Sequence, residues 1–203
     1  KSKLLDIGSG SGIFSKILIK DKIINNIECV EPSKILVKNY EKNLTLHNKM
    51  FSQVRIKNIS FDIITAINVI EHVFSPNQFI KKINKLLHKN GFFLLTTPNI
   101  KGFEILVNQK KSNSFENERL NYFNILSIKN LLEQNKFAIK YINTIGKLDI
   151  NIILNQNTNI ENNKWVEYIL KNCTKHTLNN FQKFLTKNLL SSYLLIIAQK
   201  KTS

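Results

Sequence analysis

The chain has 203 residues, of which 42% are hydrophobic, and it carries a formal net charge of +16. This length allows one sheet covered on both faces and predicts a single domain over residues 1–203. The hydrophobic content excludes a disordered chain, and no apolar run approaches the ~20 residues that a membrane-spanning helix needs.

The first element is a short apolar strand, residues 3–7, which leads through a glycine-rich loop into a helix from about residue 12 to 20. Glycine permits positive φ and lets a ligand approach the bare backbone, and the helix offers unpaired N–H groups at its N-terminus. Asp6 stands at the strand's end, where it can accept hydrogen bonds from a ligand or brace the loop. The combination suits a ligand with an adenosine and a charged amino-acid tail. A dinucleotide site needs its third glycine where this chain has Ile13, which disfavours a nicotinamide dehydrogenase.

Strands and helices then alternate along the first half of the chain. A second strand, 27–31, ends in Glu31, and Pro32-Ser33 is expected to open a helix with Ser33 as its N-cap. A third strand is expected within 44–51 and a fourth at 61–66. A helix over 78–88 is expected to end at Asn90-Gly91, because glycine is the preferred residue after a helix C-terminus.

The second half continues the alternation but adds two longer connections. A fifth strand, 92–97, stops at Pro98, and residues 99–124 form a polar stretch without a clear period, which predicts a lid-like insertion. A helix over 125–134 and a strand over 137–142 follow. Residues 150–190 are predicted to be a helical insertion, with helices near 164–171 and 178–186, before a last strand at 193–198. This order predicts an α/β, doubly wound sheet.

Five segments resemble, in the right order, the class I S-adenosylmethionine-dependent methyltransferases. They are the opening glycine loop, Val30-Glu31-Pro32-Ser33, Asn68-Val69-Ile70-Glu71-His72-Val73, residues 86–99 and residues 118–123. The likeness is to the small-molecule and glycan branch, which includes the ubiquinone-pathway O-methyltransferases, and covers residues 1–145 well and 146–199 loosely. It implies a Rossmann-like, seven-stranded, mostly parallel sheet with an antiparallel last strand. It also implies helices before the first strand, so the chain is expected to be a fragment.

The resemblance implies S-adenosyl-L-methionine as cofactor and S-adenosyl-L-homocysteine as product. Glu31 is expected to grip the ribose hydroxyls, because a carboxylate accepts two O–H bonds from a vicinal diol. The acid that relatives place near adenine after the third strand is missing here, and residues 48–51 occupy that neighbourhood. The predicted cofactor-binding residues are Asp6, Gly8, Ser9, Gly10, Gly12, Glu31 and Asn68.

His72 is the candidate general base, since its ordinary pKa of ~6.5 lets it accept a proton near neutrality. The alternative is that Glu71-His72 only shapes the pocket or caps the next helix. Asn99 and Tyr122 are predicted on the substrate side. Some relatives bind a divalent metal through Glu-x-x-Glu-His, but Asn68 replaces the first acid, so no metal site is predicted.

The predicted function is O-methylation of a small molecule or of a sugar or glycan precursor. The net charge and the partial metal pattern favour RNA-end methylation as an alternative. Against nucleic acid, the lysines are scattered, and only Arg55 and Arg119 of the 30 basic residues are arginine. A catalytically inactive cofactor-binding subunit is a further alternative.

Cys29 and Cys173 are too few for a disulfide framework, which favours a cytoplasmic setting. No oligomeric state is predicted.

Overall fold

The computed structural model describes residues 2–40, 44–56, 60–115, 118–146, 149–155 and 164–202. Within these ranges seven strands form one sheet in the order β3-β2-β1-β4-β5-β7-β6. The strands are β1 (Lys3–Ile7), β2 (Asn26–Val30), β3 (Thr45–His47), β4 (Phe61–Ile67), β5 (Leu87–Pro98), β6 (Phe137–Thr144) and β7 (Tyr193–Lys200).

The sheet is parallel except for the last strand of the chain, which confirms what the family resemblance implies. Strand β1 pairs in parallel with β2 and β4, β2 with β3, and β4 with β5. Strand β7 runs antiparallel to both of its neighbours, β5 and β6. The direction of strand order reverses between β1 and β4, and open α/β sheets bind ligands at the carboxyl ends of the strands at such a point. The fold therefore places the candidate site beyond Ile7, Val30 and Ile67.

Helices connect these strands in the described part of the chain. They are α1 (Ile13–Lys20), α2 (Pro76–Leu86), α3 (Phe103–Asn108), α4 (Ile125–Gln134), α5 (Asp149–Asn155), α6 (Lys164–Asn172) and α7 (Lys175–Lys187). Helix α4 has the predicted bounds. Its N-cap, Asn124, accepts from the backbone N–H of Ser127, and the Ser127 hydroxyl accepts from the backbone N–H of Asn124, which is a capping box.

The prediction of a helix opened by Pro32-Ser33 is wrong, because the segment forms only a short 3-10 turn. The structure has a 3-10 turn over Leu36–Asn39, and the Ser33 hydroxyl accepts from the backbone N–H of Leu36 at 3.4 Å. The turn ends at Tyr40, whose backbone is extended (φ −67°, ψ 140°). Because the backbone is extended at Tyr40, the helical segment after Ser33 is limited to this single 3-10 turn.

The helix end predicted at Asn90-Gly91 is also wrong. Helix α2 ends at Leu86, and Asn90-Gly91 lies inside β5. Asn90 has φ 64°, and the pairing of β5 with β4 shifts register between Phe61 and Ile63. Asn90-Gly91 therefore lies at an irregularity in the pairing of β5 with β4. Positive φ is needed there as it is after a helix C-terminus, so the sequence does not distinguish the two.

Residues 99–124 contain more regular structure than their aperiodic sequence indicates. Helix α3 lies here, followed by 3-10 turns at Gln109–Lys111 and Asn113–Phe115. Helix α5 was likewise not predicted. Helices of six or seven residues are too short to show a clear hydrophobic period.

Buried side chains form a core around the sheet and a separate cluster in the helical segment. Residues of β1, β4, β5 and β7 pack with α2 and α4 around Phe61, Phe93 and Phe137, which are fully buried. A second cluster joins α5, α6 and α7 through Ile150, Ile153, Val166, Leu170 and Leu185. None of the described helices is long and apolar enough to cross a membrane.

Candidate functional site

The glycine loop joins β1 to α1 and is tied to the end of β2. The backbone N–H groups of Gly8 and Ser9 donate to the carbonyl oxygen of Val30 at 2.8 and 3.2 Å. Gly8 has φ 69°, and a Cβ there would lie 2.4 Å from Cγ2 of Val69, so the fold itself requires glycine at this position. Gly10 has φ 58°, and a Cβ there would meet no atom within 4 Å in the part of the chain that the structure describes. Its backbone is therefore open to a ligand.

Asp6 lies beneath this loop. Its side chain is buried, and its two oxygens accept from the hydroxyls of Ser15 (2.9 Å) and Thr65 (2.7 Å). Burial raises the pKa of the Asp6 carboxyl above its ordinary value. The predicted bracing role fits this geometry: Asp6 connects β1, α1 and β4, and its carboxylate does not face the cavity described below.

Glu31 follows β2 and faces the loop. Its Oε2 accepts from the backbone N–H of Gly10 at 2.9 Å, and its Oε1 accepts from that of Ser33 at 2.8 Å. The Asn48 side chain donates to the Glu31 carbonyl oxygen at 2.7 Å. These bonds hold the carboxylate in one orientation, and a carboxylate with two such bonds still has free lone pairs.

Ser9 and Gly12 contact a residue that the sequence did not indicate. The Tyr40 hydroxyl donates to the Ser9 hydroxyl, and burial raises the pKa of Tyr40 well above its usual range. A Cβ at Gly12, where φ is 77°, would lie 2.9 Å from Cζ of Tyr40. Tyr40 therefore packs on the start of α1, and glycine at position 12 makes room for the ring.

A cavity of about 510 Å³ opens at the carboxyl ends of β1, β2 and β4. Of the predicted residues, Gly8, Glu31, Asn68 and His72 line it. Its apolar wall includes Met50 and Phe51, from the turn after β3, and residues just after β4. The further lining residues are Ile7, Val30, Pro32, Ser52, Val69, Val73, Phe74, Ser75, Gln78, Phe79 and Lys82.

Lys82, on α2, was missed in the sequence. Its ammonium lies 4.6 Å from the centre of the Phe51 ring, and burial lowers the pKa of Lys82. It donates hydrogen bonds to the backbone carbonyls of Phe51, Ser52 and Val54. Since an ammonium has three donors, Lys82 is fully used in holding the turn that forms one wall of the cavity.

Asn68 ends β4 in an unusual conformation. Its φ is 54°, which a residue other than glycine seldom adopts. Thr96 on β5 holds it there: the Asn68 N–H lies 3.1 Å from both the carbonyl oxygen and the hydroxyl of Thr96, and that hydroxyl donates to Asn68 Oδ1 at 3.0 Å. The Asn68 side chain is exposed and lines the cavity, and its predicted contact with the cofactor stays a prediction.

Glu71 and His72 lie together but differ in exposure. Glu71 is buried, with Oε2 accepting from the Thr97 hydroxyl at 3.1 Å and Oε1 without a hydrogen-bond partner among the described residues. Burial raises the pKa of the Glu71 carboxyl. The His72 side chain is 36% exposed, and its Nε2 lies 4.0 Å from Oε1 of Glu71. His72 Nδ1 lies 2.8 Å from the carbonyl oxygen of Glu118.

The two residues predicted on the substrate side do not line this cavity. Asn99 is buried, and its side chain donates to the Ser191 carbonyl oxygen at 3.0 Å and accepts from the Lys101 N–H at 3.2 Å. The substrate-side role of Asn99 stays a prediction. Tyr122 is 42% exposed, and its ring centre lies 5.4 Å from that of Phe115.

A glycine-rich turn above a braced carboxylate, at the switch point of a seven-stranded sheet, is the arrangement of the S-adenosylmethionine-dependent methyltransferase class. A family model described as a methyltransferase domain matches residues 1–141. The chain belongs to this family, which confirms the resemblance found in its sequence.

Individual relatives are more distant. The ubiquinone biosynthesis O-methyltransferase of Glaesserella parasuis is 28% identical over 108 residues, which cover 48% of this chain and 45% of the relative. The chain thus spans about half the length of the curated relatives it matches.

Solved structures share the fold at low identity. The complex between the Haloferax volcanii Trm112 methyltransferase activator and a methyltransferase gives a TM-score of 0.70 at 14% identity, covering 99% of this chain and 83% of that one. A Haemonchus contortus phosphoethanolamine N-methyltransferase was solved with phosphomonomethylethanolamine and S-adenosylhomocysteine. It gives a TM-score of 0.63 at 17% identity, covering 99% of this chain and 49% of that one.

Proposed function

We propose that this chain binds S-adenosylmethionine and transfers its methyl group to an oxygen atom of a small molecule or of a sugar or glycan precursor. When bound, this cofactor supplies a methyl group already activated on a sulfonium. The observation that carries the proposal is the hydrogen bond between Gly10, in the glycine loop, and Glu31, whose side chain lines the cavity together with Gly8. An open backbone and an oriented carboxylate are the two groups that a nucleoside with a charged tail needs.

The residues present fit this cofactor. Gly10 leaves space above the loop, and Glu31 keeps lone pairs for a vicinal diol. Met50, Phe51 and Val69 line the cavity with apolar surface, which suits an adenine ring and offsets the missing acid after β3. A cavity of about 510 Å³ is within the range of ligand sites, which is ~300–1,000 Å³. Asp6, Ser9 and Gly12 support the loop from beneath and beside it.

His72 is proposed as the general base. Its ring lines the same cavity as Gly8 and Glu31, so an acceptor beside it lies near the methyl donor. A hydroxyl acceptor must lose a proton as it is methylated, and a placed base accelerates such a step by ~10²–10⁴-fold. Oxygen as the target atom is supported by this base and by the O-methyltransferase relative.

The proposal includes the organisation of the chain. It treats residues 1–203 as one domain with a lid in 99–124 and a helical insertion in 150–190, as predicted from the sequence. The separate apolar cluster of α5, α6 and α7 supports the insertion. We place the acceptor against the lid, because His72 bonds to a residue of that segment. A cytoplasmic setting stays a prediction from the cysteines.

Calorimetry with S-adenosylhomocysteine tests cofactor binding. We expect binding in the micromolar range, and no detectable heat up to millimolar ligand would contradict the proposal. Transfer is tested by incubating the protein with methyl-labelled cofactor and separate panels of phenols, sugars and short RNAs. Label in a phenol or a sugar supports the proposal. Label in RNA alone supports the end-modification alternative, and binding without transfer to any panel supports the inactive subunit.

His72→Gln tests the base. Once an acceptor is known, we expect the transfer rate to fall by ~10²–10⁴-fold while the affinity for S-adenosylhomocysteine stays within twofold. His88→Gln is the matched control, because His88 is exposed and bonds only to the neighbouring Lys89 carbonyl in the described contacts. Equal rates for the two variants would exclude His72 as the base.

A further inference from the structure

A strap of backbone, residues 118–123, lies along the residues that follow β4. The N–H groups of Leu120 and Asn121 both donate to the carbonyl oxygen of Glu71, at 2.8 and 3.0 Å. The Asn121 side chain donates to the carbonyl oxygen of Val73 at 2.6 Å. Asn121 therefore joins the strap to both sides of His72 through its backbone and its side chain.

The far end of the strap is also anchored. Phe123 forms an isolated parallel bridge with Asn99, just after β5, and its carbonyl oxygen accepts from the N–H of Ile100 at 2.8 Å. The Phe123 side chain is buried in the core of the sheet. The strap is thus tied down at Phe123 and at Asn121, and these two anchors set the position of the backbone that precedes them.

The strap determines which nitrogen of His72 carries the hydrogen. Nδ1 lies 2.8 Å from the Glu118 carbonyl oxygen. A carbonyl oxygen can only accept, so Nδ1 must be the donor. In the neutral ring the lone pair is then on Nε2. Nε2 lies 4.0 Å from Oε1 of Glu71, which is too far for a hydrogen bond, so the lone pair is not consumed by that carboxyl group.

We propose that Asn121 is a positioning residue for His72. By holding the strap against residues 71–73, it keeps the Glu118 carbonyl on Nδ1 and leaves the Nε2 lone pair available at the cavity. The strap thereby couples the state of the base to the lid: the ring has this fixed tautomer only while 118–121 lies on 71–73. The catalytic consequence rests on the proposed function, whereas the tautomer does not.

Nitrogen NMR on the full chain tests this directly. The protein, labelled with ¹⁵N at its four histidines, is recorded at pH 8 with and without S-adenosylhomocysteine, and the His72 signals are assigned by their loss in His72→Gln. We expect a single tautomer protonated at Nδ1 in the wild type. A ring protonated at Nε2, or a mixture of both forms, would overturn the proposal whatever the variants show.

Asn121→Ala tests the residue itself. We expect it to convert His72 to a mixture of tautomers and to leave the affinity for S-adenosylhomocysteine within twofold, because Asn121 does not line the cavity. Asn121→Gln keeps an amide donor and is expected to restore part of the Nδ1–H form. An unchanged His72 spectrum in Asn121→Ala would refute the role of Asn121. If that variant does not fold, Asn121→Ser is judged by the same spectrum.

A matched control separates this effect from a general loss of an asparagine. Asn143→Ala removes an exposed amide on β6 that bonds to the Tyr141 hydroxyl, and we expect it to leave the His72 signals unchanged. Failure of S-adenosylhomocysteine to bind the wild type would contradict the proposed function but not the tautomer assignment. The two proposals therefore fail by different measurements.

Discussion

The backbone N–H of Gly10 donates a hydrogen bond of 2.9 Å to Oε2 of Glu31. This bond joins the loop after β1 to the residue that follows β2, and Glu31 lines the cavity. The second oxygen of Glu31 is held by Ser33, so the carboxylate is oriented before any ligand arrives. Such preorganisation reduces the entropy that binding must overcome.

Replacing Glu31 should weaken cofactor binding. Glu31→Gln removes the negative charge and replaces one carboxylate oxygen, an acceptor, by an NH₂ group with two N–H donors. We therefore expect S-adenosylhomocysteine to bind at least tenfold more weakly by calorimetry. Glu28→Gln is the matched control: it lies on the same strand, bonds to Lys3 and His47, and does not line the cavity. Affinities that fall equally in both variants would contradict the ribose assignment.

Gly8 should be required for stability through Val69. In Gly8→Ala the new Cβ has a strained φ and would overlap Cγ2 of Val69, and we expect the free energy of unfolding to fall by about 2–4 kcal/mol. Val69→Ala should recover part of this loss, with a coupling of about 1–2 kcal/mol in a double-mutant cycle. Gly10→Ala meets no neighbour and should show no coupling to Val69. Additive effects at Gly8 and Val69 would refute the overlap.

Lys82 should support the cavity wall. Lys82→Met leaves three backbone carbonyls without their donor, so we expect a loss of about 1–3 kcal/mol in the free energy of unfolding and at least fivefold weaker binding of S-adenosylhomocysteine. Lys82→Arg should retain part of the stability and part of the affinity for S-adenosylhomocysteine that Lys82→Met loses. The control is Lys81→Met, since Lys81 is exposed. Unchanged affinity in Lys82→Met would show that the turn keeps its shape without the lysine.

Glu28 should contribute stability that depends on pH. Burial alone would raise its pKa, but hydrogen bonds and charges from Lys3 and His47 outweigh burial and hold the pKa below the ordinary value of 4.5. A carboxylate with a lowered pKa stabilises the fold above its unfolded pKa, and this contribution is lost as the pH falls through its folded pKa.

We therefore expect Glu28→Gln to lower the free energy of unfolding by about 1–2 kcal/mol at pH 7, and the gap to the wild type to narrow below pH 4.5. Denaturant unfolding of both proteins at pH 7, 5.5 and 4 measures this difference in the free energy of unfolding. Glu133→Gln is the control, because its pairing with Lys129 is exposed and worth about 0–1 kcal/mol. A gap that is constant with pH would show that the Glu28 charge is not the cause.

Local signals made the strands and one helix predictable. Helix α4 is predicted correctly at both ends, and its start carries a local signal, the capping box of Asn124 and Ser127. The glycines at 8, 10 and 12 mark a sharp turn wherever they occur after an apolar strand. The prediction from local sequence failed at Asn90-Gly91, because positive φ occurs at an irregularity within a strand as well as at a helix end.

Contacts between distant segments could not be read from the sequence. Lys82 bonds to carbonyls 28 to 31 residues away, and any surface lysine on an amphipathic helix has the same local pattern. His72 is held by a backbone carbonyl, which every residue has, so its partner Glu118 carries no side-chain signal. Asn99 was predicted from its motif, but its amide is bonded to Ser191, a partner 92 residues away.

The helical segment α5, α6 and α7 has its own apolar cluster, and its described buried residues are distinct from those around the sheet. Substitutions within that cluster leave the glycine loop, Asp6 and Glu31 untouched, because neither set of contacts includes the other. The buried residues of this cluster are also absent from the lining of the cavity, so its packing can change without direct contact with the lining residues.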